Sequence, residues 1–377
     1  MVVGFFHDHN FISNGHNIYT TGTLSSTFWE RYLEHDVEEL IVCCRKSAEV
    51  TTDNLVLSST DKVSFNFSPN LSSPKCLFFG ADHQVVKNQV KKVDLVICRL
   101  PSEIGFAAVK EAKRLGKKVV CEVVACPYDA LSYHGSITAK LYARLIKYRM
   151  KKWVSVADGA LYVTKSELQA RYPCYGLTEN ASNVELDSIH YDTLDFRSER
   201  FNARKQCKSL KFGIAGTLKN DTKGIHIAIK ALKNIPGSLH VIGAGDPSRY
   251  IRLAKEYGVD FQYEGFKANK ADVLDWFKDI DVYLQPSFQE GLPRATIEAM
   301  STGCPVLSSD AGGLSELVRG KYIHSRGDFI KLNNDLTEVV ESYSLEDDTK
   351  RSLNIAREYL SDVLKTKRRK FYKNFIN

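Results

Sequence analysis

Apolar residues in the first half of the chain fall into short continuous runs, separated by stretches in which they recur every three to four positions. The runs predict strands at residues 2–7, 40–44, 94–99, 118–124 and 160–164, and the periodic stretches predict helices at 25–35, 103–115 and 136–154. Strands that alternate with helices in this way are typical of a mostly parallel, doubly wound sheet.

The same alternation starts again at residue 211, after a polar segment at residues 173–208. It predicts strands at 211–215, 238–242, 261–263, 282–284 and 305–308, and helices at 224–235, 247–257, 270–277, 293–301 and 314–318. We therefore expect an α/β protein with two Rossmann-like, doubly wound domains, residues 1–205 and 206–359, that face an interdomain cleft. The polar segment is predicted to connect the two domains, and a helix at about 360–377 to pack back on the first.

The composition narrows the class of protein. The 377 residues are 43% hydrophobic and 26% charged, as in soluble globular proteins, and no apolar run approaches the roughly 18 residues that span a bilayer. His7 and Asp8 follow the first apolar run at once and no basic segment precedes it, which is unlike a secretory leader. The nine cysteines lack the spacing of a disulfide framework or a zinc site. We therefore expect a cytoplasmic protein.

The stretch PSFQEGLPRATIEAM at residues 286–300 carries the most chemical information. An apolar strand runs into a turn, and Pro293 occupies a position favoured at the start of a helix. A helix start after a glycine is a ready anion site, and a diphosphate is the anion that suits a two-domain α/β protein. Glu290 and Glu298 could then bind hydroxyls of a sugar and a ribose. Taken singly, each glutamate is equally compatible with a structural role, as a helix-start acid or a solvated helix residue.

Glu290 and Glu298, with seven residues between them, are followed by Gly-Cys-Pro-Val at 303–306 and Ala-Gly-Gly-Leu-Ser-Glu at 311–316. As a set, these motifs resemble the signature of retaining glycosyltransferase family 4, which has the GT-B fold. The N-terminal half is similar to members that build bacterial surface polysaccharides, such as O-antigen and capsule, through FWERYL at 28–33, CPYDA at 126–130 and YVTK at 162–165.

The resemblance implies a donor site in the second domain. In the family, the first glutamate contacts the donor sugar, the amides after it hold the diphosphate and the second glutamate binds the ribose. A basic residue of the loop at 216–224 neutralises the diphosphate, and a lysine at a helix start is otherwise disfavoured by the helix dipole. The residues that match are Glu290, Gly291, Leu292, Glu298, Gly216, Thr217 and Lys223, with Gly243 and Phe266 on the nucleotide wall. Many members carry a second cation where this chain has Thr217.

Three residues of the first half are further candidates for the active site. Gly22 lies where members have a glycine-rich loop that reaches the donor phosphate and the acceptor. Asp129 and His134 follow the strand at 118–124 and are candidate polar groups on the acceptor side of the cleft. A satisfied loop histidine is an equally good interpretation of His134.

The resemblance implies transfer of a sugar, with retention of configuration, from a nucleotide diphosphate sugar to a lipid-linked or oligosaccharide acceptor, with UDP favoured over GDP. No cofactor or metal is expected, because the Asp-Ile-Asp at 279–281 precedes a strand, whereas metal-binding pairs of this kind follow one. Two alternatives stay open: a nucleotide-sugar epimerase of the same fold, and an inactive scaffold that serves as a binding protein.

The net charge of +7 allows a nucleic acid, an anionic membrane or an anionic substrate as partner. The basic residues are spread along the chain without a nucleic-acid-binding signature, so we expect no nucleic acid. The predicted helix at 139–153 is basic and aromatic, which indicates either peripheral contact with an anionic membrane or an ordinary solvated face.

Overall fold

A computed structural model describes residues 1–22, 24–34, 36–47, 55–73, 76, 83–132, 137–189, 192–207, 209–342 and 345–376. Contacts between residues divide the chain into two compact units. The first comprises Met1–Ala181 together with Lys365–Asn377, and the second comprises Ser182–Leu364. None of the described helices is both long enough and apolar enough to cross a membrane.

The first unit is built on one sheet with helices between its strands. Its strands are β1 (Val2–Asn14), β2 (Asn17–Thr20), β3 (Glu39–Lys46), β4 (Val56–Leu57), β5 (Val63–Phe67), β6 (Leu95–Leu100), β7 (Lys118–Val123), β8 (Gly159–Tyr162) and β9 (Leu177–Asn180). Its helices are Glu30–Leu33, Gln84–Lys92, Glu103–Arg114, Pro127–Ser132, Ile137–Ser155 and Glu167–Arg171, with a 3-10 turn at Ser26–Phe28. The parallel strands lie in the order β5-β3-β1-β6-β7-β8-β9.

Strand β1 is longer than the sequence predicts. After Phe6 its register shifts, and its second half turns back through a hairpin to pair antiparallel with β2. The turn residues are Gly15 and His16, between the paired Asn14 and Asn17, and Gly15 has φ +65°, a value that glycine adopts readily at the first position of a two-residue hairpin turn. The alternation of apolar and polar residues beyond His7 is too irregular to have indicated this extension.

Between residues 210 and 317 the second unit has the predicted alternation of strands and helices. Its strands are β10 (Leu210–Ala215), β11 (Gly237–Ile242), β12 (Asp260–Tyr263), β13 (Val282–Gln285), β14 (Val306–Ser309) and β15 (Ile323–His324). Its helices are Thr193–Cys207, Ile225–Ala231, Ser248–Tyr257, Lys270–Asp279, Arg294–Ser301, Leu314–Leu317, Phe329–Ser342 and Glu346–Arg357, with 3-10 turns at Asp221–Lys223 and Gly320–Tyr322. The strand order is β12-β11-β10-β13-β14-β15, and the described pairings are parallel.

The sequence predicted that the polar segment at residues 173–208 connects the two domains, but the segment also contains regular secondary structure. It contains the edge strand β9 and the helix Thr193–Cys207, and the division between the units falls after Ala181 rather than at residue 205. The reason is Arg197, a fully buried side chain that donates hydrogen bonds to the carbonyls of Phe277, Ile280 and Thr302. These contacts make the helix part of the second unit.

The C-terminal helix Ser361–Lys373 begins in the second unit, and its residues from Lys365 belong to the first. The hydroxyl of Tyr372 donates to Glu122 at the end of β7, at 2.6 Å, and both side chains are buried. Tyr32 donates to the same carboxylate at 2.7 Å, and Arg99 pairs with it at 2.9 Å. The buried charge of Glu122 is therefore fully partnered, which fixes the C-terminal segment on the first sheet.

Candidate active site

The second sheet provides a crevice at the carboxyl ends of β10 and β13. These strands are neighbours, but the chain leaves β10 towards β11 on one side and leaves β13 towards β14 on the other. Open α/β sheets bind ligands at such a reversal of strand order. The loop at 216–224 follows β10 and the loop at 286–293 follows β13, so the two motifs singled out in the sequence meet here.

Lys223 and Glu290 join the two loops. The Nζ atom of Lys223 lies 2.6 Å from Oε1 of Glu290, whose side chain is only 8% exposed. The same oxygen accepts hydrogen bonds from Nε2 of Gln285 and from the hydroxyl of Ser287, both at 2.7 Å. Three donors that converge on one carboxylate oxygen hold it in a single position.

Gln285 and Ser287, which the sequence analysis passed over, are themselves held by buried neighbours. The hydroxyl of Tyr283 donates to Oε1 of Gln285, and that of Ser309 donates to the carbonyl of Ser287 at 2.6 Å. Both Gln285 and Ser287 have no exposed surface. The signal that could have identified them is the pair of polar residues at the end of an apolar strand, where a purely structural role would favour apolar side chains.

Glycines allow the two loops to approach closely. A Cβ atom at Gly224, whose φ is +67°, would overlap the carbonyl oxygen of Pro286. The amide of Phe288 donates to the carbonyl of Thr222 at 2.8 Å, which ties the loops through the backbone. At Gly216, a Cβ atom would lie 2.7 Å from Cγ of Lys223, so the lysine stem runs directly over this glycine.

Gly216→Ala should therefore displace Lys223 without unfolding the second unit. We expect affinity for a nucleoside diphosphate to fall about tenfold, which corresponds to about 1.4 kcal/mol, because the added methyl moves the ammonium away from Glu290. Isothermal titration calorimetry measures this change. Gly320→Ala is the matched control, since a Cβ atom there meets nothing within 4 Å. Equal affinities of the two variants would show that the position of Lys223 does not matter for binding.

The helix Arg294–Ser301 starts beside Glu290, after Pro293, and no side chain caps its N-terminus. The preceding loop is held by the segment that follows β14, because the amide of Gly313 donates to the carbonyl of Gly291 at 2.8 Å. Within the described residues, the buried hydroxyl of Thr296 in the first turn has no hydrogen-bond partner. Gly291 and Leu292 thus lead into a helix start that can accept an anion.

Glu298 lies further along this helix and is buried. Burial raises the pKa of its carboxyl group, and the Nη1 atom of Arg294 is 3.7 Å away, beyond hydrogen-bond distance. A carboxylate that is buried and only loosely paired is costly, so hydrogen-bond donors from a ligand would stabilise it. A vicinal diol is a ligand group that supplies two such donors.

The ends of β10, β11 and β12 adjoin this crevice. Gly243, with φ +147°, has no room for a side chain against the carbonyl of Gly216, and its amide donates to Gly265 at 2.9 Å. Phe266 comes next, with 68% of its surface exposed. The hydroxyl of Thr217 donates to the carbonyl of Ala244 at 3.3 Å, so this side chain serves the loop itself.

The structure gives the three candidates of the first half different surroundings. Asp129 is buried and accepts a hydrogen bond from Nη1 of Arg171 at 2.8 Å, so its charge is already neutralised. The amide of Gly22 donates to the hydroxyl of Thr20 at 3.0 Å in the turn after β2. His134 lies outside the described residues.

The first sheet has its own reversal of strand order, between β1 and β6. Polar residues that the sequence did not predict as site residues lie at this reversal. The Nδ1 atom of His7 lies 3.1 Å from the carbonyl of Arg99, which places its proton on Nδ1 because a carbonyl only accepts. Burial and Arg99 lower the pKa of His7 to about 3, so the ring is neutral. Asp8 accepts hydrogen bonds from the amides of Glu103 and Ile104. The signal in the sequence is a His-Asp-His run directly after an apolar strand.

The Asp-Ile-Asp at 279–281 is engaged by cations at the amino end of β13. Asp281 is fully buried and pairs with Arg200 at 2.5 Å and with Arg204 at 3.2 Å, while Asp279 pairs with Lys211 at 2.6 Å. Throughout the described ranges, no group of three histidine, cysteine or acidic side chains could hold a metal ion. The contacts of these two aspartates therefore indicate a structural role.

Comparison with known proteins gives consistent results at three levels. Residues 209–342 match the family model described as glycosyl transferases group 1. Protein CapJ of Staphylococcus aureus is 30% identical, over 99% of this chain and 96% of its own length. The chain belongs to the group 1 glycosyltransferases. The matched segment contains the Lys223–Glu290 pair and the helix that carries Glu298.

Two solved structures have the same fold over nearly the whole length. HepE of Anabaena, solved in complex with UDP, aligns with a TM-score of 0.62 and 16% identity over 99% of both chains. The lipopolysaccharide outer core galactosyltransferase WaaB aligns with a TM-score of 0.61 and 18% identity over 100% of this chain and 99% of that one. This group 1 glycosyltransferase therefore has the predicted GT-B fold, with two parallel-sheet α/β domains.

Proposed function

We propose that this glycosyltransferase transfers a sugar from a nucleotide diphosphate sugar, with UDP favoured and GDP next, to a lipid-linked or oligosaccharide acceptor in surface-polysaccharide biosynthesis. The observation that carries the proposal is the Lys223–Glu290 pair at the strand-order reversal of the second sheet, beside an uncapped helix start. A cation, free amides and a fixed carboxylate are the groups that a diphosphate attached to a sugar requires.

Each part of the donor has a matching group. The ammonium of Lys223 and the amides after Glu290 bind the diphosphate, and the fixed carboxylate of Glu290 orients the sugar. The buried carboxylate of Glu298 accepts hydrogen bonds from the ribose diol. The exposed ring of Phe266, next to the glycine turn at 243–245, is available to stack on the base.

The proposed reaction proceeds with retention and without a metal ion. The acceptor hydroxyl attacks the anomeric carbon on the face from which the diphosphate departs, and a donor phosphate oxygen takes its proton. Lys223 and the helix dipole stabilise the charge that develops on the leaving diphosphate, the role that a divalent cation has in other transferases.

We assign acceptor binding to the crevice of the first sheet. The Nε2 atom of neutral His7 has no partner within the described chain, so its lone pair can accept a hydrogen bond from a sugar hydroxyl. His9 stacks on His7, with ring centroids 6.4 Å apart, and lies 2.7 Å from the hydroxyl of Thr20 beside Gly22. We expect the enzyme to act in the cytoplasm, in peripheral contact with the membrane through the basic helix that covers residues 139–153.

Thermal-shift measurements with UDP, GDP, ADP and CMP test the donor assignment. UDP at about 100 times its Kd should stabilise the folded chain by about 2.7 kcal/mol, equally with EDTA and with magnesium, and Lys223→Ala should abolish this shift. Lys255→Ala, an exposed site in the same unit, should leave the shift unchanged. A shift that appears only with magnesium would rule out metal-independent binding, and no shift with any nucleotide would refute the donor site.

A further inference from the structure

A buried chain of hydrogen bonds leads from β13 to the carboxylate of Glu290. It begins at Tyr283, whose side chain has no exposed surface and whose hydroxyl donates to Oε1 of Gln285. Burial and the charge of Glu290 raise the pKa of Tyr283 well above its usual value, so the hydroxyl keeps its proton. The carbonyl of Ala215 is 3.5 Å from this hydroxyl, at the limit of a hydrogen bond, so the single proton goes to Gln285.

The orientation of the Gln285 amide decides which group faces Glu290. Because Oε1 of the amide is turned towards Tyr283, its Nε2 group donates to Oε1 of Glu290 and to the hydroxyl of Ser287, both at 2.7 Å. Ser287 in turn donates its own proton to Glu290 at 2.7 Å. An amide turned by 180° would present an acceptor oxygen to the carboxylate in place of a donor. The hydroxyl of Tyr283 therefore selects the orientation in which the amide attracts Glu290.

The donors converge on one of the two oxygens of Glu290. Oε1 accepts from Gln285, Ser287 and Lys223, whereas no residue in the described part of the chain donates to Oε2. Oε2 is therefore the oxygen that is left to accept a hydrogen bond from a ligand hydroxyl. Its direction is fixed because the carboxylate is planar and its other oxygen is held by three donors.

We infer that Tyr283 is a positioning residue for sugar transfer: its hydroxyl orients the amide of Gln285, and this amide orients the carboxylate of Glu290 towards the donor sugar. Packing alone would be served equally by phenylalanine, since the ring of Tyr283 already packs edge-on against Phe277, with centroids 5.3 Å apart. Buried polar groups are costly unless all of them are satisfied, and here each one passes a hydrogen bond towards Glu290. The inference deepens the proposed function and rests on it for the role of Glu290.

A double-mutant cycle tests whether Tyr283 acts through Gln285. The substrate is whichever of UDP-glucose, UDP-galactose, UDP-N-acetylglucosamine and GDP-mannose stabilises the wild-type chain most, and the readout is its hydrolysis without an acceptor. Tyr283→Phe should lower kcat about tenfold in the wild-type chain but less than about twofold in the Gln285→Met chain, because the amide that it orients is then absent. Equal losses in the two backgrounds would overturn the inference.

The side-chain amide signals of chains labelled with ¹⁵N-glutamine test the orientation itself. Gln285→Met identifies the signal of Gln285 by its loss, and in Tyr283→Phe this signal should move while those of the other glutamines stay. Tyr359→Phe is the matched control, because it also removes a hydroxyl from a buried tyrosine of the second unit. It should change neither the Gln285 signal nor kcat. A Gln285 signal that is the same in Tyr283→Phe and the wild type would contradict the proposed orientation.

Failure of this inference can be told apart from failure of the proposed function. UDP should raise the melting temperatures of the wild type and Tyr283→Phe equally, because Lys223 and the helix start are intact in both. If no nucleotide stabilises the wild type, the donor site is wrong, and the amide signals still decide whether Tyr283 orients Gln285. If UDP stabilises both chains and the losses in kcat are additive, the donor site stands and the positioning role of Tyr283 is wrong.

Discussion

Glu290→Gln is expected to reduce sugar transfer by at least about 100-fold while the chain stays folded. An amide retains an oxygen that can accept from Gln285 and Ser287, so the local hydrogen bonds survive. It removes the charge that holds Lys223 at 2.6 Å and that, in the proposed reaction, orients the donor sugar. Because the loss concerns charge rather than shape, we expect kcat to fall far more than the affinity for the nucleoside diphosphate.

The measurement is release of nucleoside diphosphate from whichever donor sugar stabilises the native chain, followed with and without added acceptor. Glu256→Gln provides the control, since Glu256 is exposed on the helix Ser248–Tyr257 of the same unit. Wild-type turnover in Glu290→Gln would mean that the carboxylate is not part of the active site. A loss of turnover that is matched by a lower melting temperature would instead indicate that Glu290 serves only the fold.

Arg197→Ala is expected to give the largest loss of stability, about 3–5 kcal/mol in the free energy of unfolding of the second unit. The guanidinium has no exposed surface and donates to the carbonyls of Thr302, Ile280 and Phe277 at 2.7, 2.5 and 2.7 Å. These carbonyls follow the helices Lys270–Asp279 and Arg294–Ser301 or lie in their last turn. Truncation removes the guanidinium donors from all three buried carbonyls, leaving only the amide of Ile280 on Phe277 at 3.3 Å and the thiol of Cys304 on Ile280 at 3.6 Å. It also opens a cavity beside the helix that carries Glu298.

Thermal denaturation should show this as a fall in Tm on the order of 10 °C for the transition of the second unit. Arg252→Ala removes an exposed arginine from the helix Ser248–Tyr257 and should leave Tm nearly unchanged. If Arg197→Ala lowered Tm no more than Arg252→Ala does, the buried contacts of Arg197 would contribute no net stability.

The elements of the second unit could be predicted because local signals agree there. Strands β10, β11, β13 and β14 contain short apolar runs, and glycines or prolines stand at their boundaries, as at Gly243 after β11 and Pro286 after β13. The hydrophobic pattern, the turn residues and the helix-start residues all indicate the same elements. When such local signals agree, secondary structure can be predicted from a single sequence. The GT-B fold follows from this regularity together with the family motifs.

Other parts of the structure could not be predicted, because the contacts that determine them join residues that are far apart along the chain. The helix Thr193–Cys207 has a strongly polar sequence, and it was interpreted as a connection. Its place in the second unit depends on Arg197, whose partners at 277, 280 and 302 lie 80 to 105 residues away. The partner of Asp129, which stays a predicted acceptor-side residue, could not be identified from the sequence either, because only the fold brings Arg171 to within 2.8 Å of it.

The sequence by itself predicted which chemistry this protein carries: Lys223 and Glu290 precede helices and Glu298 lies within the second of these helices, an arrangement that resembles a sugar-nucleotide site. The tertiary structure decided which of these groups meet. Lys223 and Glu290 are 67 residues apart and are joined because β10 and β13 are neighbours at the reversal of strand order. His7 gained its neutral, oriented ring in the same way, from the neighbouring strand β6. Strand order is set by the packing of whole layers, and that information is not contained in any local stretch of sequence.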